Sequence, residues 1–399
     1  MKFALLGADD DTLALAEAAV AAGHRLVWIG DCQPYELAAP GRDSLRAPSD
    51  EWEDLLDSDL ADAVLVGRGA ADAAVRSRQV QELVKQGRPV LASFPLFDSV
   101  LSYFEVDMAR GESGAVVRHY NPVASSGAAG VATDTLREGA ELGPVEQVVC
   151  ERTMADRSRA AVVRQFARDA ELLDVIAGGL DRVGAHAAAG AAPDEPSAYA
   201  GLSVQLSGRQ ALPVRWSVSP PHAGPPLRLT LVCALGRLVI DLDQHNEMTA
   251  IVRTRNGADA AEAMRPTGAA VRALDEFVAE VASVPHGRSG GSTWPQALHV
   301  MELADSIEIS LRRGRMIDVQ GQQLTEQLAF RGTMAAAGCG LLLVLPPLLL
   351  VVGWLAGLAG IDAGRFWAPA LLAPPALVFA PQVLPKFVYP PADGDNNNN

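Results

Sequence analysis

The sequence predicts an α/β protein in three parts. A parallel sheet occupies residues 1–124, an α+β region with a largely antiparallel sheet occupies 125–325, and a transmembrane hairpin over 332–385 precedes a disordered tail at 386–399. Three observations carry this reading: short apolar runs alternate with helical patterns up to about residue 124, strand-like runs then follow one another across short turns, and two long stretches without charge come last.

Residues 2–6 form an apolar strand that Gly7 ends, and residues 13–22 form an Ala/Leu-rich amphipathic helix stopped at Gly23. A second strand at 25–29 runs into Gly30 and Asp31. Residues 63–67 read as a third strand, 79–86 as part of a helix, 89–92 as a fourth strand and 115–117 as a fifth, leading into His119, Tyr120, Asn121 and Pro122. Repeated βα units imply a parallel sheet whose ligand cleft lies at the carboxyl ends of its strands. After about residue 143 the rhythm changes. Strands are expected at 145–153, 181–188, 201–206, 214–219, 227–233 and 238–242, with helices at 269–283 and 294–311.

The first turn gives the opening unit a Rossmann-like, dinucleotide-binding character, but an incomplete one. Such turns read G-x-G-x-x-G so that backbone can approach a pyrophosphate at the helix N-terminus. Here the turn is Gly7-Ala8-Asp9-Asp10-Asp11-Thr12, with only the first glycine kept. Asp31 stands where an acid at the end of the second strand takes a ribose hydroxyl. The aspartates have two readings. Asp10 or Asp11 caps the helix, or the carboxylates fill the anion site and repel a phosphate.

Composition narrows the function. A formal charge of −15 argues against nucleic acid or an anionic membrane surface as the main partner. Cys32, Cys150, Cys233 and Cys339 are scattered, and His186, His222, His245, His286 and His299 lack metal-ligand spacing, so reduced thiols and no metal site are expected. There is no nucleophile elbow and no phosphate-binding P-loop. The first residues do not read as a signal peptide, because acids follow a short apolar run. From Gly332 to Ile361 no residue is charged, which exceeds the roughly 20 residues that cross a bilayer as a helix. A second uncharged stretch from Phe366 to Pro385 carries five prolines and either spans with a kink or lies at the interface. Arg312, Arg313, Arg315 and Arg331 before the hairpin and Lys386 after it place both ends, and the soluble domains, on the cytoplasmic side of a membrane.

Several phrases over roughly residues 1–320 resemble the Gfo/Idh/MocA family of sugar and inositol oxidoreductases. Gly87-Arg88-Pro89-Val90-Leu91-Ala92-Ser93-Phe94-Pro95-Leu96 is similar to the family's fourth strand and its Glu-Lys-Pro sequel. Gly236 to Ile240 resembles its Gly-x-Leu-x-Ile strand, and residues 297–315, with Ser310, Gly314 and Arg315, resemble its helix ending Ser-x-x-x-Gly-Arg. The resemblance implies NAD or NADP as cofactor, with Gly7, Asp9, Thr12, Asp31, Ser93 and Pro95 as the cofactor-binding positions. It also implies a small-molecule ligand and a dimer or tetramer formed through the second sheet.

The departures fall on the chemistry. Phe94 takes the family's lysine slot and Ser93 its glutamate slot, and phenylalanine cannot transfer a proton. The family's Asp-x-Gly-x-His-x-x-Asp aligns with Arg164 to Glu171, so Arg168 takes the histidine slot and Glu171 the second acid. An arginine stays protonated and cannot shuttle a proton near neutral pH. Arg168 and Glu171 are therefore the candidate catalytic or ligand-binding pair, with Arg164 beside them; the plainer reading is an exposed helical charge network. His119 or Tyr120 is a further binding candidate at the cleft. Two functions are expected: a catalytically silent, membrane-tethered binding or scaffold protein, which is preferred, or an active NAD(P)-dependent oxidoreductase on a sugar or polyol derivative.

Overall fold

A computed structural model describes residues 1–32, 51–57, 60–138, 141–187, 199–208, 212–264, 268–283 and 293–319. The hairpin expected at 332–385 and the tail at 386–399 lie outside the described residues. Among those described, no helix is long and apolar enough to cross a membrane.

Five strands, β1 (Lys2–Leu6), β2 (Arg25–Gly30), β3 (Ala63–Val66), β4 (Val90–Ser93) and β5 (Val117–Tyr120), pair in parallel in the order β2-β1-β3-β4-β5. β3 and β4 are buried at every position, as expected of strands covered on both faces. The connecting helices are α1 (Asp10–Ala21), α2 (Ala73–Lys85) and α3 (Val100–Ser113). β5 begins two residues later than expected and runs through Arg118, which interrupts the apolar run. The strand accommodates it because its guanidinium reaches Glu276 at 2.8 Å and Glu280 at 3.3 Å.

The α4 helix (Ala128–Glu138) leads to the second sheet, whose nine strands are β6 (Val145–Thr153), β7 (Leu180–His186), β8 (Ser203–Gly208), β9 (Val214–Ser219), β10 (Leu227–Cys233), β11 (Gly236–Leu242), β12 (Met248–Arg255), β13 (Ala258–Ala263) and β14 (Ile317–Asp318). Their order is β13-β12-β11-β10-β6-β9-β8-β7-β14, antiparallel except where β6 meets β9. One face carries Val148, Cys150, Trp216, Leu229 and Leu231, all fully buried. Against it lies α5 (Arg159–Ala177), started by a Ser158 cap and stopped at Gly178 in the left-handed conformation. Two further helices, α6 (Ala269–Ser283) and α7 (Trp294–Arg313), return to the first sheet. Leu274 and Phe277 of α6 pack with Leu15 of α1 and Leu65 of β3 in one cluster, so that part of the 125–325 region completes the core of the 1–124 region. Trp294 of α7 stacks on Tyr103 of α3 at 5.1 Å and donates its indole N–H to the Tyr103 carbonyl.

Candidate functional site: the carboxyl edge of the parallel sheet

The carboxyl ends of β1, β3 and β4 converge on one side chain, Asp9. Its backbone is extended, and it is the N-cap of α1. Oδ1 accepts the Thr12 N–H at 2.9 Å, while Thr12 Oγ1 accepts the Asp9 N–H at 3.0 Å, a reciprocal capping box. Oδ2 accepts the Ser93 hydroxyl at 2.6 Å and the Arg68 backbone N–H at 3.0 Å. One carboxylate thus ties the start of α1 to the end of β4 and to the loop after β3. The cap belongs to Asp9 and not to Asp10 or Asp11, because only Asp9 combines an extended backbone with a threonine three residues on. Gly7 has φ of 75°, and a side chain there would meet the Gly67 carbonyl at 2.6 Å, so its glycine serves the contact between these two loops.

At the end of β2, Asp31 also has positive φ, 52°, and is held by protein groups. It accepts the Ala71 N–H at 3.1 Å and an ion pair from Arg76. Arg76 is 1% exposed and donates further to Gln79 Oε1 at 2.9 Å. Sequence reading passed over Arg76, although an arginine facing inward on a helix beside an acidic strand end needs such a partner.

The positions that the resemblance aligns with proton-transfer residues are equally engaged. Phe94 is fully buried, with its ring 6.0 Å from Tyr103 and 5.0 Å from His119. Arg168 donates to the Phe94 carbonyl at 3.0 Å and forms an ion pair with Asp11. Burial pushes the Asp11 carboxyl up to about 6, against the opposing pull of Arg168. Glu171 is buried, and its two oxygens meet His119 Nε2 and Asn121 Nδ2, each at 2.8 Å. The exposed charge network is therefore not what forms. Glu171 faces inward and Arg168 pairs across to α1, because α5, packed on the second sheet, passes the carboxyl ends of β4 and β5 where Phe94, His119 and Asn121 lie. Arg164 lies nearer solvent, 3.6 Å from Asp98, beside a cavity of about 370 Å³ bounded by α5, α7 and the loop after β4. Pro95 contributes a carbonyl that accepts from Arg68 Nη1 at 3.2 Å. Deeper in α5, Asp169 is fully buried and takes Arg152 Nε at 3.0 Å and the Trp216 indole N–H at 2.9 Å. That triad was not foreseen, because its members are far apart in the chain and share no motif.

Among solved structures the chain is similar to an oxidoreductase from Agrobacterium radiobacter determined with NAD+, L-tartaric acid and magnesium. Identity is 12% over 80% of this chain and 98% of that one, with a TM-score of 0.64. The chain has the fold of Gfo/Idh/MocA-type oxidoreductases. An aldose–aldose oxidoreductase from Caulobacter crescentus complexed with glycerol is similar at 16% identity, over 80% of this chain and 99% of that one, with a TM-score of 0.63. A point variant of a 3-ketoreductase from Actinomadura kijaniata, complexed with TDP-benzene and NADP, is similar at 17% identity, over 78% and 98%, with a TM-score of 0.61. No protein-family model matches the chain, and no curated protein matches it in sequence.

Proposed function

We propose that this protein is a ligand-binding or scaffold member of the Gfo/Idh/MocA-type fold that has given up hydride transfer and is tethered to a membrane by residues 332–385. The observation that carries the reading is the position of Asp9. A helix N-terminus at a Rossmann turn attracts anions through its free N–H groups and its dipole. Here a carboxylate of the protein takes the Thr12 and Arg68 N–H groups, and two further acids, Asp10 and Asp11, stand in the same turn. This donor set fits a pyrophosphate poorly. Asp31 accepts from Arg76, Phe94 offers no proton, and Arg168 is paired with Asp11. Three parts with separate roles in a dinucleotide enzyme are engaged within the protein.

The second reading, an active NAD(P)-dependent oxidoreductase on a sugar or polyol derivative, is favoured by the NAD+ and NADP carried by structural neighbours. Titration of the full-length, detergent-solubilised protein with NADH and NADPH, followed by cofactor fluorescence, separates the two. The silent reading expects no saturation up to about 1 mM, where a binding free energy would be only about −4 kcal/mol. Saturation at micromolar cofactor overturns it. The tether rests on the uncharged stretch from Gly332 to Ile361. It expects the protein in the membrane pellet after lysis, with the soluble domains facing the cytoplasm, and recovery in a detergent-free supernatant overturns it.

A further inference from the structure

The cavity of about 370 Å³ between α5, α7 and the loop after β4 is separate from the crevice at Asp9, since none of Asp9, Asp31, Phe94, Arg168 and Glu171 lines it. Its charged lining is Arg159 and Arg164 of α5, Asp305 and Glu308 of α7, and Asp98 of the loop. Most of these charges are already matched. Arg159 pairs with Glu308, and both Asp98 oxygens accept from Arg68 Nη2 at 2.9 Å. What remains is one charge of each sign, on two different helices. Arg164 reaches the occupied Asp98 only at 3.6 Å, its side chain keeps 38% of its surface exposed, and its Nε has no hydrogen-bond partner among the described protein groups. Asp305 accepts the Val100 N–H, and the arginine that acts on it, Arg159, is the one held by Glu308.

The protonation equilibria agree with this geometry. Asp305 is accessible at the cavity wall, yet partial desolvation by the surrounding protein, and after it Glu308, push its carboxyl up to about 6. Burial, and after it Arg68, lower the Arg164 pKa. Each group thus lacks a full counter-charge, and each would gain one from an occupant of opposite sign. A neutral molecule would leave both without partners. A polyanion would satisfy Arg164 but meet Asp98, Asp305 and Glu308, and a simple cation would do the reverse. Between the two charged positions Ala160 and Val163 keep accessible apolar surface for C–H groups. The volume lies at the low end of the roughly 300–1,000 Å³ typical of small-molecule pockets. We propose that this cavity binds a zwitterion of amino-acid size, whose carboxylate pairs with Arg164 and whose ammonium pairs with Asp305. The proposal rests on the chain being a ligand-binding protein and names the site and the class.

The test is ligand-observed saturation-transfer NMR on the full-length protein in detergent. The zwitterionic probes are leucine and 5-aminopentanoate; 4-methylpentanoate and pentanoate lack their ammonium, and isoamylamine and pentylamine lack their carboxylate. At least one zwitterion is expected to bind with a Kd of about 1 mM or tighter, and its two single-charge analogues tenfold or more weaker. Asp305→Asn should remove the preference over the carboxylate-only analogue, and Arg164→Gln the preference over the amine-only one. Both side chains reach the surface, and a variant is read only if it keeps the wild-type circular dichroism and melting temperature. The analogue series in the wild type decides the matter without any variant. No binding by either zwitterion, analogues that bind as tightly as their zwitterion, or preferences unchanged in both variants overturns the proposal. A parallel NADH titration keeps the two readings apart. NADH saturation with zwitterion binding intact overturns the silent reading and leaves this site standing, whereas failure of the zwitterions without NADH saturation removes the site alone.

Discussion

Replacing Asp9 by serine separates its two jobs. A serine hydroxyl can still cap α1 by accepting the Thr12 N–H, since serine is as good an N-cap as aspartate. It cannot also reach the Arg68 N–H and the Ser93 hydroxyl, which Oδ2 accepts at 3.0 and 2.6 Å. Hydrogen bonds to a charged acceptor contribute about 1.5–3 kcal/mol each, and partial rehydration of the freed groups reduces the sum, so a loss of about 2–4 kcal/mol is expected. At roughly 2–4 °C per kcal/mol for a chain approaching this size, the melting temperature should fall by several degrees or more. The substitution also removes a negative charge from the anion site. A unit charge about 4 Å away opposes another by about 1 kcal/mol in water and about 4 kcal/mol near a protein surface. Dinucleotide affinity should therefore rise at least about fivefold, and up to about a thousandfold. Wild type and Asp9→Ser are compared side by side by thermal unfolding and NADH fluorescence. A variant that melts with the wild type refutes the tethering role. One that is destabilised yet gains no affinity shows that the crevice is closed by other groups, and removes Asp9 from the explanation.

Two other substitutions probe the same crevice. Burial raises Asp11 from 3.8 to about 6, so between those values the folded chain keeps a proton that the unfolded chain has released. Its contribution to stability then falls as pH rises from about 4 to about 6, by at most about 3 kcal/mol. Denaturant unfolding of Asp11→Asn against wild type at pH 4 and pH 7 should show the variant gaining relative stability at the higher pH, and a difference independent of pH contradicts the assignment. Phe94→Lys places a lysine in a fully buried aromatic setting beside Tyr103 and His119. It should cost about 3–5 kcal/mol without producing NADH oxidation, and a variant that melts with the wild type would show that position 94 can open to solvent.

Elements with strong local signals were legible in the sequence. The β9 and β10 strands and the α6 helix occupy the predicted ranges, because alternating or 3.6-residue apolar spacing specifies their buried faces. The α3 and α4 helices and the β12 and β13 strands were not foreseen. β13 reads Ala-Asp-Ala-Ala-Glu-Ala and is exposed throughout, so only its pairing with β12 makes it a strand. At the site, Asp9, Asp31, Phe94, Arg168 and Glu171 were all singled out from the turn, the strand ends and the family resemblance. Among their partners, Arg68, Arg76 and Asn121 were not, because they are 59, 45 and 50 residues from the groups they bind.

Sequence alone determined the order of βα units, the charged turn where a glycine-rich loop is expected, Phe94 at the end of the fourth strand and the uncharged stretch at 332–361. These are properties of neighbouring residues, and local spacing exposes them. The tertiary structure decided what the acids do. Whether a carboxylate binds a ligand or its own protein depends on which donors the fold brings within about 3 Å, and a hydrogen bond has no reach beyond that. The passage of α5 beside the carboxyl ends of the parallel strands sets Arg168 on Asp11 and turns Glu171 toward His119.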